Sequence, residues 1–477
     1  MKKLNRLLLS AIIIFMLHPA INIFAFDDML GGSIRPYSKN PWYWQYNGRP
    51  ILLRGASDQD NLWQWTGKKL TDHLDLLVSV GGNYLRCTMS DRNEGNAYAF
   101  KEIRQGVYDL DQWNEDYWER IKFFLSETHK REIIIQMSIW DHIDLGGQRF
   151  ENHPLNPANN INWEVGFISG ANDFYGITIE SGRKEVIDLQ NRYVNKLLSI
   201  TLNYNHVLYN IDNETTLSNE WQNYWATFLK NKAAESGKEI HVTTMNMVPS
   251  HSVRHVLTYR HLYSFAEVSQ NNQDSKGGRG TLHYDNLIHW RRMIEADPQG
   301  PLPMNNEKIY GSGDGRNYSS GTGREAIDRF WKNIFAGCAS VRFHRPEGFW
   351  GIGLSEQAQA SVKSMTMFLE EFDIFNAVPY VGIKMYGPSE GYAMAIMGKQ
   401  YAVYLPGGRY SIELDPWIYA KQLKIKFLDI DSSTWSDEKI ITLEWEEELS
   451  GWYGFQRGIN IMSPGNQPCV AVLEVIE

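Results

Sequence analysis

Eight short apolar segments recur along most of the chain, and each one leads into a polar loop. They cover residues 51–55, 82–88, 132–138, 207–211, 239–245, 262–268, 305–310 and 338–343. Between several of them apolar residues repeat at helical spacing, as in residues 70–80, 113–129, 184–202, 323–336 and 355–372. Parallel strands need a crossover between them, and a helix usually supplies it. This alternation predicts an α/β fold, a (β/α)8 TIM barrel in which functional side chains gather where the strands end.

The pattern changes after Asn376 to short strands without helical spacing, for example residues 392–397, 400–405, 422–427 and 469–475. About a hundred residues of this kind predict a small all-β sandwich. We therefore expect a barrel over residues 26–376 and a C-terminal β-sandwich over residues 377–477. The Asn47-Gly48 turn between aromatic segments also predicts a hairpin that closes the bottom of the barrel.

The first 25 residues have the features of a secretory signal peptide. Lys2, Lys3 and Arg6 precede an apolar run over residues 7–16 that is too short to span a bilayer comfortably, and Ala25 is a plausible last residue of the leader. The rest of the sequence predicts no integral membrane segment. We expect a periplasmic or secreted protein.

Charge and composition limit the class of partner. The formal net charge of −9 argues against a nucleic acid, which requires a basic surface to neutralise phosphates. The 17 Trp and 25 Tyr residues favour a carbohydrate, because their rings can stack on sugar faces. The three cysteines lack metal-ligand spacing, and the His251/His255 pair lacks the glutamate of a zinc protease helix. We expect no metal and no cofactor.

A cluster of polar residues, Asp212-Asn213-Glu214, follows the fourth predicted strand, and Glu307 lies in the seventh. The ends of these strands can face each other across a barrel. Two opposed carboxyl groups, one protonated and one ionised, are the minimum equipment for glycoside hydrolysis. Strict alternation would place Asp212 and Glu214 on one side and Asn213 on the other. Asn213 and Glu214 can therefore both reach a common site only if the strand breaks there.

The Asn213-Glu214 pair, together with Glu307, resembles the active-site pattern of glycoside hydrolase clan A, and Arg86 matches that clan's arginine near the nucleophile. The layout is similar to apiosidase-like barrels followed by a collagen-binding-type β-sandwich, of which residues 401–408 are typical. The resemblance implies that Glu214 is the acid/base, Glu307 the nucleophile, Asn213 the partner of the substrate 2-hydroxyl, and Arg86 the group that keeps Glu307 ionised. Many members carry a tyrosine after strand six, where this chain has Ser269-Gln270.

Further polar and aromatic residues follow other strands on the same side. Trp140, Asp141 and His142 after strand three, with Gln270 after strand six, are candidates to hold substrate hydroxyls. Trp350 after strand eight is a candidate for stacking on a sugar, or for plain packing. Asp314 and Glu347 are weaker candidates in neighbouring loops.

Three functions fit these residues. The first is a retaining glycoside hydrolase that cleaves a plant- or algal-type polysaccharide or oligosaccharide by double displacement with Glu214 and Glu307. The second is a non-catalytic carbohydrate-binding barrel, and the third is a polysaccharide lyase with a Tyr or His base. The presence of both glutamates favours hydrolysis.

Overall fold

The computed structural model describes residues 32–175, 183–271, 282–311, 321–346, 348–408, 410–415, 421–443, 445–446, 455–456 and 458–476. The proposed signal peptide, Asp314 and Glu347 lie outside these residues. Within the described part of the chain, no helix is long and apolar enough to cross a membrane.

A small antiparallel sheet precedes the barrel and consists of β1 (Arg35–Pro36), β2 (Trp44–Tyr46) and β3 (Arg49–Ile51). Trp44 from this sheet is fully buried, donates a hydrogen bond of 2.9 Å to Asn305 Oδ1 and packs edge-on against Phe265. The predicted hairpin therefore closes the bottom of the barrel.

The barrel strands are β4 (Leu53–Ala56), β5 (Tyr84–Thr88), β8 (Ile134–Trp140), β9 (Val207–Asp212), β10 (Val242–Thr243), β11 (Ala266–Glu267), β12 (Met304–Ile309) and β13 (Ser340–Phe343). A separate hairpin of β6 (Phe100–Arg104) and β7 (Val107–Trp113) follows β5. The barrel strands form two parallel sheets, β5-β8-β9-β10 and β11-β12-β13-β4. Two backbone hydrogen bonds of 2.9 Å, from Asn83 to Arg54 and from Ser264 to Val242, join the sheets. The predicted eight-stranded barrel is confirmed.

Helices surround the barrel: α1 (Gly67–Ser79), α2 (Glu115–Lys130), α3 (Gln148–Asn152), α4 (Ala171–Tyr175), α5 (Lys184–Thr201), α6 (Asn219–Glu235), α7 (Pro249–Thr258), α8 (His283–Glu295), α9 (Gly323–Phe335) and α10 (Glu356–Glu371). Sequence periodicity located five of these helices to within a few residues. The hairpin β6–β7 was not predicted. It also places Trp113 in a strand, and α2 begins only after Asn114, whose side chain accepts from the backbone N–H of Asp116.

The C-terminal strands are β14 (Val378–Tyr380), β15 (Ile383–Met385), β16 (Tyr392–Ile396), β17 (Gln400–Leu405), β18 (Ser411–Leu414), β19 (Gln422–Asp429), β20 (Thr434–Trp435), β21 (Lys439–Thr442), β22 (Trp445–Glu446), β23 (Phe455–Gln456), β24 (Ile459–Met462) and β25 (Cys469–Val475). Seven of them form one antiparallel sheet, and β15, β18 and β24 form a second. The inner faces bury an apolar core of their own. This is the predicted β-sandwich.

The larger sandwich sheet packs against α9 and α10 of the barrel. Tyr404 is fully buried and stacks on Trp331 with ring centroids 5.9 Å apart. Its hydroxyl also donates to Asp328, and Lys332 pairs with Glu390 at 2.7 Å. Apolar residues from both parts belong to one continuous core. Since α9 connects β12 to β13, the sandwich supports the side of the barrel that carries Glu307.

We expect Tyr404→Ala to lower the free energy of unfolding by about 3–5 kcal/mol, because it leaves a cavity against Trp331. Tyr404→Phe keeps the ring, loses the hydrogen bond to Asp328, and should cost about 1–3 kcal/mol. Urea denaturation measures both values. A chain ending at residue 376 should be less stable still. Equal stabilities of the two variants would mean that the stacked ring contributes nothing to the interface.

Candidate active site

The end of β9 places three consecutive polar side chains in different directions. The strand ends at Asp212, and Glu214 has a φ of 56°, in the left-handed region that residues other than glycine rarely adopt. Asp212 then points to His142, with Oδ2 3.0 Å from Nδ1. Asn213 and Glu214 instead reach Lys308 from across the barrel. The strand break that the sequence required is therefore present.

Lys308 is the partner that Asn213 and Glu214 share. Its Nζ lies 2.7 Å from Asn213 Oδ1 and 2.5 Å from Glu214 Oε1. The pairing between β12 and β13 shifts between Asn306 and Ile309. This irregularity lets Glu307 and Lys308, adjacent in sequence, both enter the site, which strict alternation forbids. Because strict alternation would point Glu307 and Lys308 in opposite directions, sequence analysis did not identify Lys308 as a site residue.

Glu307 lies fully buried beneath this pair and faces Arg86. Arg86 Nε is 3.1 Å from Glu307 Oε1, and Nη2 donates to Asn213 Oδ1 at 2.6 Å. Arg86 Nη1 lies 3.3 Å from Asp60 Oδ1. One buried guanidinium thus connects the ends of four barrel strands and brings the predicted Arg86, Asn213 and Glu307 together.

Asp60 was visible in the sequence only as part of a polar loop after β4. Its carboxylate is buried and lies 3.4 Å from Arg342, 2.5 Å from Arg345 and 3.3 Å from His344. Burial opposes its ionisation, but Arg345, Arg86 and His344 hold the pKa of Asp60 well below its usual range. Asp60 is therefore a permanent anion that fixes the cations around it.

Glu214 is ionised at neutral pH. Burial alone would raise its pKa, but Lys308, Arg86 and a hydrogen bond from Gln270 lower the pKa of Glu214 to about 2. Burial lowers the pKa of Lys308 to about 8, against the opposite effect of Glu214. The two side chains form an ion pair at neutral pH. About 14% of the Glu214 side chain is exposed, so a ligand entering the mouth would meet this pair.

Glu267 on β11 is a second buried carboxyl group near Glu307. Its Oε2 accepts from Gln136 at 2.6 Å, and its Oε1 accepts from the Ser269 backbone N–H at 2.8 Å. Burial and the charge of Glu307 raise the pKa of Glu267 to about 8. Burial also raises the pKa of Glu307, but Arg86 opposes it. Since only Glu307 contacts the guanidinium of Arg86, we infer that Glu267 holds the proton of this pair at neutral pH and Glu307 is ionised.

The remaining predicted polar residues are Asp141, Gln270 and His142. Asp141 accepts from Asn213 Nδ2 at 3.2 Å and pairs with Arg92, and Gln270 contacts Glu214, so both belong to the cluster. Burial opposes protonation of His142, but Asp212 outweighs it and raises its pKa.

Two aromatic candidates lie in different surroundings. Trp140 packs in an aromatic cluster with Phe174, Tyr175, Tyr193 and Trp225. Trp350 has a φ of 79° and lies 6.1 Å from the ring of Tyr310. Their contacts with substrate stay predictions.

We expect Glu267→Gln to change the pH dependence of stability. The native carboxyl group of Glu267 stays neutral up to about pH 8, whereas the carboxyl group in the unfolded chain ionises near its ordinary pKa of 4.5. The contribution of Glu267 to the free energy of unfolding is therefore complete below pH 4.5. It is lost as pH rises toward 8, at up to about 1.4 kcal/mol per pH unit. A glutamine at position 267 does not titrate, so it adds no such pH dependence to the free energy of unfolding.

The variant should thus gain stability relative to the unmodified protein between pH 5 and pH 8 in urea denaturation. Glu235→Gln, a change at an exposed helical position, is the control. Parallel pH curves for Glu267→Gln and the unmodified protein would contradict a neutral Glu267.

Solved structures share this architecture. One described as a glycoside hydrolase has 13% sequence identity and a TM-score of 0.62, over 93% of this chain and 97% of that one. A glycoside hydrolase family 5 protein from Bacteroides vulgatus ATCC 8482 has 12% identity and a TM-score of 0.62, over 94% of each chain. A family 5 mannosidase from Rhizomucor miehei has 13% identity and a TM-score of 0.52, over 72% of this chain and 99% of that one.

No protein-family model matches the sequence, and no curated protein is significantly similar to it. At 12–13% identity the likeness to the solved structures is one of fold. The coverage in the first two matches exceeds the length of the barrel alone, so the likeness extends into the sandwich. The chain has the fold of a glycoside hydrolase family 5 barrel followed by a β-sandwich.

Proposed function

We propose that this protein is a retaining glycoside hydrolase of the clan A type, acting on a plant- or algal-type polysaccharide or oligosaccharide in the periplasm or outside the cell. The observation that carries the proposal is the convergence of Asn213 and Glu307 on Arg86, with Glu214 and Asn213 both in contact with Lys308. The apiosidase-like subtype, the collagen-binding-type sandwich and the signal peptide belong to the same proposal and rest on sequence resemblance.

The two glutamates have different surroundings that suit different roles. Glu307 lies against Arg86, whose charge favours the carboxylate form, so Glu307 can attack the anomeric carbon as a carboxylate. Glu214 is the more exposed of the two and is positioned to exchange protons with a leaving group and with water. Asn213, held by Arg86 and Asp141, can present its amide to a sugar hydroxyl.

The ionised Glu214 suits the second half of this reaction. When Glu307 carries the glycosyl group as an ester, Glu214 must be an anion to activate water. The contact with Lys308 favours that anion. In the first half, however, Glu214 must be protonated, so substrate binding has to weaken the Glu214–Lys308 pair.

The same ion pair favours a second candidate function, a carbohydrate-binding barrel without hydrolytic activity. A carboxylate neutralised by a buried lysine cannot donate a proton. Purified protein incubated with plant and algal polysaccharides and aryl glycosides distinguishes the candidates. New reducing ends support hydrolysis, unsaturated products indicate a lyase, and binding without cleavage supports the second candidate.

We expect hydrolysis with retention of the anomeric configuration, because Glu307 forms the covalent intermediate. Proton NMR of the first-formed sugar measures the outcome. Glu214→Ala should slow hydrolysis of unactivated substrates by about 10²–10⁴-fold. With an activated aryl glycoside, this variant should still form the covalent glycosyl-enzyme. Added azide should then release the glycosyl group as a glycosyl azide of retained configuration. With Glu307→Ala, azide should give the inverted product. An inverted sugar from the unmodified enzyme would overturn the assignment of both roles.

We expect Arg86→Met to reduce turnover by about 10²–10³-fold, because it removes the cation that keeps Glu307 ionised. The acidic limb of the kcat/KM profile should move to higher pH as the pKa of Glu307 rises further. Arg345→Met is a matched control, since Arg345 forms its ion pair with Asp60. Equal pH profiles for both variants would exclude a specific role of Arg86, and circular dichroism establishes that each is folded.

A further inference from the structure

A cavity lies beside the candidate active site, between the residues that follow β5 and β8 and two inserted segments of the chain. It measures about 60 Å³, which is room for about four to six water molecules. Protein interiors contain few voids larger than one water molecule. A space of this size next to the barrel mouth therefore indicates a place for a ligand rather than imperfect packing.

Asp141 connects this cavity with the candidate active site. It lines the cavity, and its Oδ1 accepts a hydrogen bond of 3.2 Å from Asn213 Nδ2. The preceding residue, Trp140, also lines the cavity, and its backbone oxygen accepts from the Asn213 N–H at 3.1 Å. Asn213 is the proposed partner of the 2-hydroxyl of the reacting sugar. A group bound in the cavity would therefore be a direct neighbour of that sugar.

The two inserted segments form the outer walls of the cavity. Tyr98 and Phe100 belong to the start of the β6–β7 hairpin, and Phe174 and Tyr175 belong to α4. Neither element is part of the alternation of strands and helices that builds the barrel. Loops on this side of a barrel commonly carry the binding residues. The cavity is thus formed where this chain adds to the basic barrel.

Aromatic rings provide much of the wall. Trp140 packs edge-on against Tyr175 with ring centroids 5.7 Å apart, and Tyr98 packs edge-on against His153 at 5.3 Å. The indole Nε1 of Trp140 is buried without a hydrogen-bond partner among the described residues, so the wall contains a donor that the protein does not satisfy. Ring surfaces combined with a few polar groups are typical of ligand pockets, and aromatic rings can stack on the apolar face of a sugar.

The charged groups of the wall favour an uncharged ligand. Asp91, Asp141 and Asp144 line the cavity, whereas no lysine or arginine does so in the part of the chain that the structure describes. Arg92 pairs with Asp141 and, at 3.0 Å, with Asp144, but it is not on the wall. His153 accepts a backbone N–H through Nδ1 at 3.1 Å, as a neutral imidazole does. An anionic sugar would meet carboxyl oxygens there, to which the hydroxyls of a neutral sugar can donate.

We propose that this cavity binds a terminal, uncharged sugar residue of the substrate, adjacent to the sugar that Asn213 holds. The inference rests on the proposed function, because it names the substrate class of the same site. At about 30 Å³ per water molecule the cavity replaces about 120–180 Å³ of solvent, which corresponds to one sugar ring and not to a chain. The occupant is either the non-reducing end of the glycan or a single-sugar side branch, and both present the same chemistry.

Binding is measured by NMR titration of the unmodified protein with the methyl glycosides of glucose, galactose, mannose, xylose and arabinose. At least one of them should bind with a Kd of about 1–10 mM, as expected for contacts with a single sugar. The methyl uronoside of the same configuration should bind at least about tenfold more weakly, because its carboxylate faces the carboxyl groups of the wall. Binding of none of the glycosides, or equal binding of the uronoside, would overturn the proposal.

Variants assign the binding to the cavity. Ala99 is buried on its wall, so Ala99→Phe fills the space and should weaken binding at least about tenfold. Ala97→Phe, in the same loop but not on the wall, is the matched control and should bind as the unmodified protein does. Tyr98→Ala removes one ring of the wall and should weaken binding about 3–10-fold. Circular dichroism establishes folding. Unchanged affinity in Ala99→Phe, or in Tyr98→Ala if Ala99→Phe does not fold, would contradict the assignment.

Hydrolysis separates this inference from the proposed function and identifies the source of the bound sugar. Linear and singly branched oligosaccharides of the same backbone are compared, from mannan and galactomannan and from xylan and arabinoxylan. A loss of kcat/KM in Ala99→Phe for branched substrates alone indicates a side branch, and an equal loss for both indicates a chain end. If a sugar binds in the cavity but no glycan is cleaved, the hydrolase proposal fails and the binding site stands. If Ala99→Phe cleaves every substrate as fast as the unmodified protein, the cavity proposal fails and the hydrolase stands.

Discussion

The guanidinium of Arg86 is the interaction on which the site depends. It is buried at the centre of the barrel mouth and contacts Asp60 from the β4 loop, Asn213 from the β9 loop and Glu307 from β12. A buried charge of this kind is tolerated only when its partners are fixed around it. Its planar donors set the spacing of those partners in turn. The carboxylates and the arginine therefore hold one another in place before any ligand binds.

Much of the fold could be predicted from the sequence, because its signals are local. The barrel strands β5, β8, β9 and β12 are buried along their whole length and appear as apolar or mixed runs between helices. The hairpin β6–β7 was not predicted, because its exposed residues, such as Glu102 and Arg104, leave little apolar alternation.

The site was partly predictable for the same reason. Asn213, Glu214 and Glu307 follow from their positions at strand ends and from the resemblance to clan A. Lys308, Asp60 and Glu267 do not, since their contacts depend on a shifted register, on arginines more than 200 residues away and on burial. The packing partners of Trp140 were not predictable either. Trp140 ends β8, and the helix α4, which periodicity did not predict, supplies Phe174 and Tyr175 that pack against its ring.

The left-handed backbone at Glu214 has an evolutionary consequence. A residue at φ 56° is restricted by sterics, and asparagine is among the few side chains that adopt this conformation readily. On the proposed function, a lineage that loses the acid at position 214 by drift would therefore meet least structural resistance at asparagine. The product would keep Arg86, Asn213 and the rest of the mouth in place. If the proposed function holds, the conformation of this single residue therefore favours one particular substitution on the path from an enzyme to a sugar-binding protein.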